Sequence, residues 1–350
     1  MKRISIVWIA FILSLTLLVA CKNNNLNNSK EGLKETTTEV VSEGEKKKII
    51  CTIFPIYDWV REIIGDNISS FDLTCLIDNG VDLHNFNPTA SDIIDIQNSD
   101  MFIYVGGESD AWVSDVFDKV VEKNVLRINL LEVMGDRAKV EEIKEGMEHE
   151  HEEEEHEHEE EEHENEEHQH EEELDEHVWL SLKNAKYLCN VIKNNIIELD
   201  NANKNQYEAN YNKYSELLND LDNRFAKAAD LDGGAVMLFG DRFPFRYLFD
   251  DYGINYYAAF SGCSAESEAS FKTIIFLANK VDELKLKHVL RIEGSNDKIA
   301  KTIIENTKSK DQDIVIMNSM QGVSLNEIKN GATYIGIMQE NLNAFEKALK

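Results

Sequence analysis

The segment KKIICTIFPIYDWVREII, residues 47–64, contains two apolar periods in succession. Residues 49–54 form a short, mainly apolar run of the kind found in strands buried on both faces, and Ile56, Trp59 and Ile63 then recur at three- and four-residue spacing, as along one face of a helix. A strand that passes directly into a helix is a βα unit. The pattern is repeated in FDLTCLI (71–77) and in SDMFIYVGG (99–107), where residues 101–105 stand between Asp100 and two glycines. Short apolar strands separated by helical segments indicate a parallel sheet, so residues 48–183 are expected to form an α/β lobe.

Between residues 184 and 228 the positions Leu188, Val191, Ile192, Ile196, Tyr207, Tyr211, Tyr214, Leu218, Leu221 and Phe225 keep helical spacing with no Pro or Gly. This predicts one long rigid helix over 184–230, or two in close succession around residues 200–205, with the aromatic stripe in the core. After Gly233 and Gly234 the alternation resumes. AVMLFG (235–240), INYYAAF (254–260), HVLRIEG (288–294) and IVIMNS (314–319) read as strands, and 243–252, 267–284 and 296–307 as helices. Residues 231–350 are therefore a second α/β lobe, and no internal sequence repeat is evident.

The chain begins MKRISIVWIAFILSLTLLVAC, with Lys2 and Arg3 ahead of an apolar stretch that ends in Leu18-Val19-Ala20-Cys21. A basic start followed by a short apolar run predicts a secretion signal over residues 1–20. The polar, low-complexity residues 21–47 suit a flexible tether. Cys51, Cys75, Cys189 and Cys263 show no CxxC or zinc-finger spacing. They are read as buried free thiols without a metal role, with one disulfide left open as the alternative outside the membrane.

The net charge is −30, and residues 148–176 carry 18 Glu and one Asp with no Lys or Arg, or 19 of those 30 units. Such a balance argues against nucleic acid, which needs a basic stripe, and for attraction of cations. Seven of the ten histidines stand in the same run: His149, His151, His156, His158, His163, His168 and His170. The run has no apolar periodicity and reads as a disordered loop that gathers metal weakly at interchangeable sites.

Three histidines remain. His84 lies in LHNFNPTASDI, beyond the strand that ends near Ile77, where ligands of open α/β sheets bind. His177 lies in DEHVWLS, at the boundary between the acidic run and the long helix. His288 stands at the start of a strand, the opposite edge of a sheet, and reads as structural. Neutral imidazole is the commonest metal ligand, so His84 and His177 converging on one cleft would form half a site.

LHNFNPTASDI resembles the PHxFxPTxxD-type segment, DEHVWLS the DPHVWLDP segment, SDMFIYVGGESDAWV the ADLIVxNGxGLExW segment and GATYIGIMQENLNAF the TYxxMMxxNLxxL ending of the zinc and manganese solute-binding lipoproteins of ABC importers. Leu-Val-Ala-Cys resembles their lipobox, and the His/acid-rich insertion falls between the two histidine segments. The resemblance covers residues 48–350. It implies two α/β lobes with parallel sheets flanked by helices, joined by one long rigid helix, with a metal ion in the cleft. It also implies a lipid anchor on Cys21, an extracytoplasmic location and an ABC permease with its ATPase as partners.

By that resemblance His84 and His177 are the ligands from the first lobe. The third position falls on Arg242, which stays protonated and cannot coordinate a metal. Asp241, one residue earlier, is the expected replacement, although a helix-capping role is open to it as well. The fourth position falls on Asn318, with Glu293 and Glu266 as nearby alternatives, and Glu293 is taken as the fourth ligand. Zn²⁺ is the expected cargo, since seven loop imidazoles suit it better than Mn²⁺, which favours oxygen. Uptake is expected to weaken as pH falls through the imidazole range near ~6.5. No HExxH or G-x-S-x-G is present, so no catalytic activity is expected. The expected protein is a monomer that captures zinc for import. The alternatives are a manganese-binding member of the same group and a surface metal buffer or adhesin.

Overall fold

The computed structural model describes residues 46–119, 124–147, 173–230, 234–264 and 268–350. Cys21, the seven histidines of the acidic run and Glu266 lie outside the described residues. No helix among the described residues is long and apolar enough to cross a membrane.

Two four-stranded parallel sheets organise the chain. The first contains β1 (Lys47–Cys51), β2 (Phe71–Cys75), β3 (Met101–Tyr104) and β4 (Leu126–Asn129) in the order β2-β1-β3-β4. The second contains β5 (Val236–Arg242), β6 (Asn255–Phe260), β7 (His288–Ile292) and β8 (Asp313–Met317) in the order β6-β5-β7-β8. Relabelled from its own first strand, the second sheet has the order of the first, so a repeat that the sequence does not display is present in the topology. The sequence patterns locate seven of these strands. β4 escapes them because it is a four-residue edge strand in which exposed Arg127 interrupts the apolar run.

The opening βα unit is as expected: β1 feeds the Phe54–Ile64 helix, whose second residue is Pro55 and whose buried face carries Ile56, Trp59, Val60 and Ile63. The linking segment is two helices, Leu182–Leu199 and Lys204–Ala229, separated by a turn at Asn201–Asn203. Asp200 makes the break, and its carboxylate accepts from Asn203 Nδ2 at 2.7 Å and Tyr207 OH at 2.5 Å. At a rise of ~1.5 Å per residue, the 26-residue helix spans about 39 Å. Near its start Tyr207 packs edge-on against Phe71 of the first lobe, and near its end Phe225 packs against Tyr252 and Phe345 of the second.

The lobes share one apolar core. Trp59 meets Tyr334 edge to face with centroids 5.3 Å apart, and the Tyr334 N–H donates to Asp58 at 2.7 Å. Trp179 Nε1 donates to the Ser319 carbonyl at 2.8 Å, while the Tyr334 hydroxyl donates to the Trp179 carbonyl at 2.7 Å. Trp59, Trp179 and Tyr334 are fully buried. The carboxyl ends of the strands are thereby held at the boundary between the lobes, which positions the loops that follow them.

Candidate metal site

After β2 the chain reaches a tight turn at Leu83–Asn85, anchored by fully buried Leu83. Asp82 opens this turn by accepting from the His84 N–H at 3.0 Å. The His84 side chain is left only 7% exposed. His177 approaches from the start of the turn Val178–Leu180, whose three side chains are buried. Its Nδ1 lies 3.0 Å from Asp175 Oδ1, and the same oxygen accepts the His177 backbone N–H at 2.9 Å. An ionised carboxylate only accepts, so His177 carries its hydrogen on Nδ1 and presents a lone pair on Nε2.

The Nε2 atoms of His84 and His177 are 3.2 Å apart. Two nitrogens at ~2.0–2.1 Å from one tetrahedral zinc would be about 3.3 Å apart, so the pair already has the spacing of two ligands on one ion. His84 Nδ1 has Ser109 Oγ at 2.7 Å and Glu176 Oε2 at 3.6 Å. Glu176 Oε1 accepts the Ser109 N–H at 2.9 Å, while its Oε2 is buried without a hydrogen-bond partner. Burial raises the Glu176 carboxyl above its ordinary range, against the lowering effect of its bonds to Ser109. Gly107 makes this approach feasible: its φ is +77°, and a Cβ there would lie 2.3 Å from Glu176 Oε1.

Burial, and then the nearby His177, lower the His84 imidazole to about 3 despite the opposing charge of Asp82. His84 is therefore neutral and ready to coordinate across the mildly acid range.

The second-lobe side chains that lie beside the pair differ from those expected. Among the described residues, the one group of three donors brought together is His84, His177 and Cys263, whose ligand atoms all lie within 4.8 Å of one another. Cys263 follows the end of β6, with its N–H donating to Glu141 Oε1 at 2.8 Å. Gly262 beside it packs on the His177 ring, where a Cβ would sit 3.1 Å from Cε1 and Nδ1. Burial, reinforced by Glu141, Asp175 and Glu176, pushes the Cys263 thiol far up. Gln321 also reaches the pair, with Nε2 2.9 Å from His177 Nε2 and Oε1 2.9 Å from Ser319 Oγ. Neither residue is found by paired-cysteine spacing or carboxylate counting. Their one sequence signal is position, just past the ends of β6 and β8.

Asp241 and Glu293 are not brought to the histidine pair. The register between β5 and β6 shifts between Phe239 and Arg242, and Asp241 lies in that irregularity. Its carboxylate accepts from the Arg242 N–H at 2.8 Å, the Ile292 N–H at 3.1 Å and the Ser295 hydroxyl, tying β5 to the end of β7. Glu293 accepts both the Ser319 N–H and hydroxyl at 2.6 Å. The Asn318 side chain accepts the Met320 N–H at 2.8 Å within its own turn. Arg242, at the expected third-ligand position, pairs with Asp82 at 2.6 Å. His288 stands at the head of β7, away from these loops.

The model of the ZnuA family, zinc-uptake complex component A, periplasmic, matches residues 49–348. The chain belongs to the ZnuA family. It is 29% identical over 333 residues to the high-affinity zinc uptake system protein ZnuA of Bacillus subtilis, covering 95% of this chain and 94% of that one. It is 28% identical over 308 residues to the zinc-binding protein AdcA of Streptococcus pyogenes serotype M3, covering 87% of this chain and 56% of AdcA. The chain thus spans just over half the length of AdcA. The crystal structure of the metal-dependent lipoprotein YcdH from Bacillus subtilis is similar with a TM-score of 0.67 at 25% identity, over 87% of this chain and 99% of that one. The Zn(II)-bound ZnuA-like domain of Streptococcus pneumoniae AdcA shares the fold, with a TM-score of 0.65 at 24% identity over the same shares. The two-lobed parallel architecture expected from the sequence is that of the ZnuA-like proteins.

Proposed function

We propose that this chain captures Zn²⁺ outside the cytoplasmic membrane and delivers it to an ABC permease with its ATPase for high-affinity uptake, acting as a single chain anchored through lipid on Cys21. The observation that carries this reading is the His84–His177 pair, with Nε2 atoms 3.2 Å apart and each ring's other nitrogen near a protein oxygen. Two neutral imidazoles favour zinc over manganese. A site at a lobe boundary suits cargo, because a small separation of the lobes releases the ion, and no catalytic step is needed.

The acidic, histidine-rich run is proposed as a collector that feeds this site. Its described flanks are clamped together: Val140 and Leu174 form an antiparallel bridge, the Glu141 N–H donates to Glu173 O at 2.8 Å, and the Asp175 N–H donates to Lys139 O at 2.8 Å. His177 follows two residues after Asp175, so an ion leaving the run emerges beside the pair. The test is a zinc titration of the mature chain, of His84→Ala and His177→Ala, and of a variant without residues 148–172. Loss of the tightest site in both point variants, with fewer weak sites but the tight one retained in the deletion, supports capture. Loss of the tight site only in the deletion would mean that the chain is a surface metal buffer or adhesin.

A further inference from the structure

We propose that Cys263 supplies the third zinc ligand, as a thiolate from the second lobe. This rests on the zinc-capture reading and gives the site a donor set that composition and spacing did not suggest.

Asp241 is engaged by two backbone N–H groups and the Ser295 hydroxyl, and Glu293 by Ser319. Arg242 is a cation held by Asp82. Cys263 Sγ is instead within 4.8 Å of the imidazole donors of both histidines. With Zn–N of ~2.0–2.1 Å and Zn–S of ~2.3 Å, tetrahedral nitrogen and sulfur ligands sit about 3.6 Å apart, so Sγ lies within about 1 Å of ligand spacing.

The backbone favours that placement. The Cys263 N–H is fixed by Glu141, and Gly262 lies flat against His177 because a Cβ would crowd the ring and the Phe243 carbonyl. As the Zn–S bond forms the thiol proton leaves to solvent, and the ion retains a net single positive charge among Asp175 and Glu176. Gln321 is placed to fill the fourth position through its amide oxygen after a flip of the amide, with Ser319 Oγ able to pair with either end. A thiolate is a soft ligand, so this set discriminates against Mn²⁺ more strongly than an all-nitrogen and oxygen set.

The test uses Co²⁺ as a spectroscopic stand-in for zinc on the mature chain. The expected result is visible d–d bands together with a near-ultraviolet thiolate-to-cobalt charge-transfer band, which Cys263→Ser abolishes. Zinc affinity in Cys263→Ser should fall at least as far as the roughly 10–100-fold loss usual for an orienting partner, with manganese affinity little changed. Saturable d–d bands without the charge-transfer band in the wild-type protein would overturn the cysteine assignment and leave zinc capture standing. A charge-transfer band that persists in Cys263→Ser would also overturn it. Absence of any tight Co²⁺ or Zn²⁺ binding by the wild-type chain would sink the capture reading itself.

Discussion

Arg242 Nη2 lies 2.6 Å from Asp82 Oδ2 and joins the end of β5 to the turn that carries His84. Asp82 also accepts the His84 N–H, so the arginine acts on the histidine through one carboxylate. The side chains are 15% and 21% exposed, and the pair is only weakly screened. Burial raises the Asp82 carboxyl, but Arg242 more than offsets this and the net shift is downward. The arginine at the position where the sequence resemblance implies a third ligand is thus tied to the turn that carries His84. Arg242→Ala should cost roughly 1–3 kcal/mol, below the range for a fully buried pair, and weaken zinc binding several-fold through a looser His84. Thermal melts and zinc titrations check it, and unchanged values for both would show that the pair carries no function.

Asp175 sets the tautomer of His177. Replacing Asp175 by Asn keeps an acceptor of similar shape but removes the charge that pins the hydrogen to Nδ1. Zinc affinity should drop by about 10–100-fold, with the melting temperature little changed. Wild-type affinity in Asp175→Asn would refute the orienting role.

How much of this was readable beforehand differs by residue. The βα pattern of residues 47–64 and its repeats led to two parallel lobes, because buried strands and amphipathic helices have local periods. The sequence also singles out His84 and His177, one from its place past a strand and both from their flanking segments, and the fold brings their rings together. Asp241 bonds instead to Arg242, Ile292 and Ser295, at a strand irregularity that re-aims side chains and leaves no mark on apolar spacing. A lone cysteine such as Cys263 carries no spacing signal; only the fold brings it to two histidines distant in the chain. Gln321 is a neutral amide, and counting charged ligands passes over it.

Asp241 provides a direct contrast between ligand and brace. If its carboxylate holds β7 to β5, Asp241→Ala strands the buried Ile292 N–H and releases Ser295, at about 2–4 kcal/mol. Zinc affinity of the folded variant should stay within a few-fold of wild type, unlike His84→Ala. Chemical denaturation combined with metal titration separates the two, and a hundredfold loss of zinc without loss of stability would restore Asp241 as a ligand.

Asp110 gives the apo protein a pH signature independent of the metal ligands. Its carboxylate is 3% exposed and accepts the Val105 and Gly106 N–H groups at 2.8 and 3.1 Å, fixing the loop that carries Ser109. Burial, helped by Glu176 and opposed by those N–H groups, raises its pKa to about 7. In the unfolded chain the value is ~3.9, so between about pH 4 and 7 the folded state binds more protons. Its contribution to stability is fully present below ~4 and is lost as pH rises through 7. Asp110→Asn retains an acceptor oxygen and is neutral at every pH, so it should match the wild type near pH 4 and exceed it by about 2–4 kcal/mol above pH 7. Urea denaturation of both proteins at pH 4.5 and 7.5 measures the gap, and a gap independent of pH would show that Asp110 titrates normally.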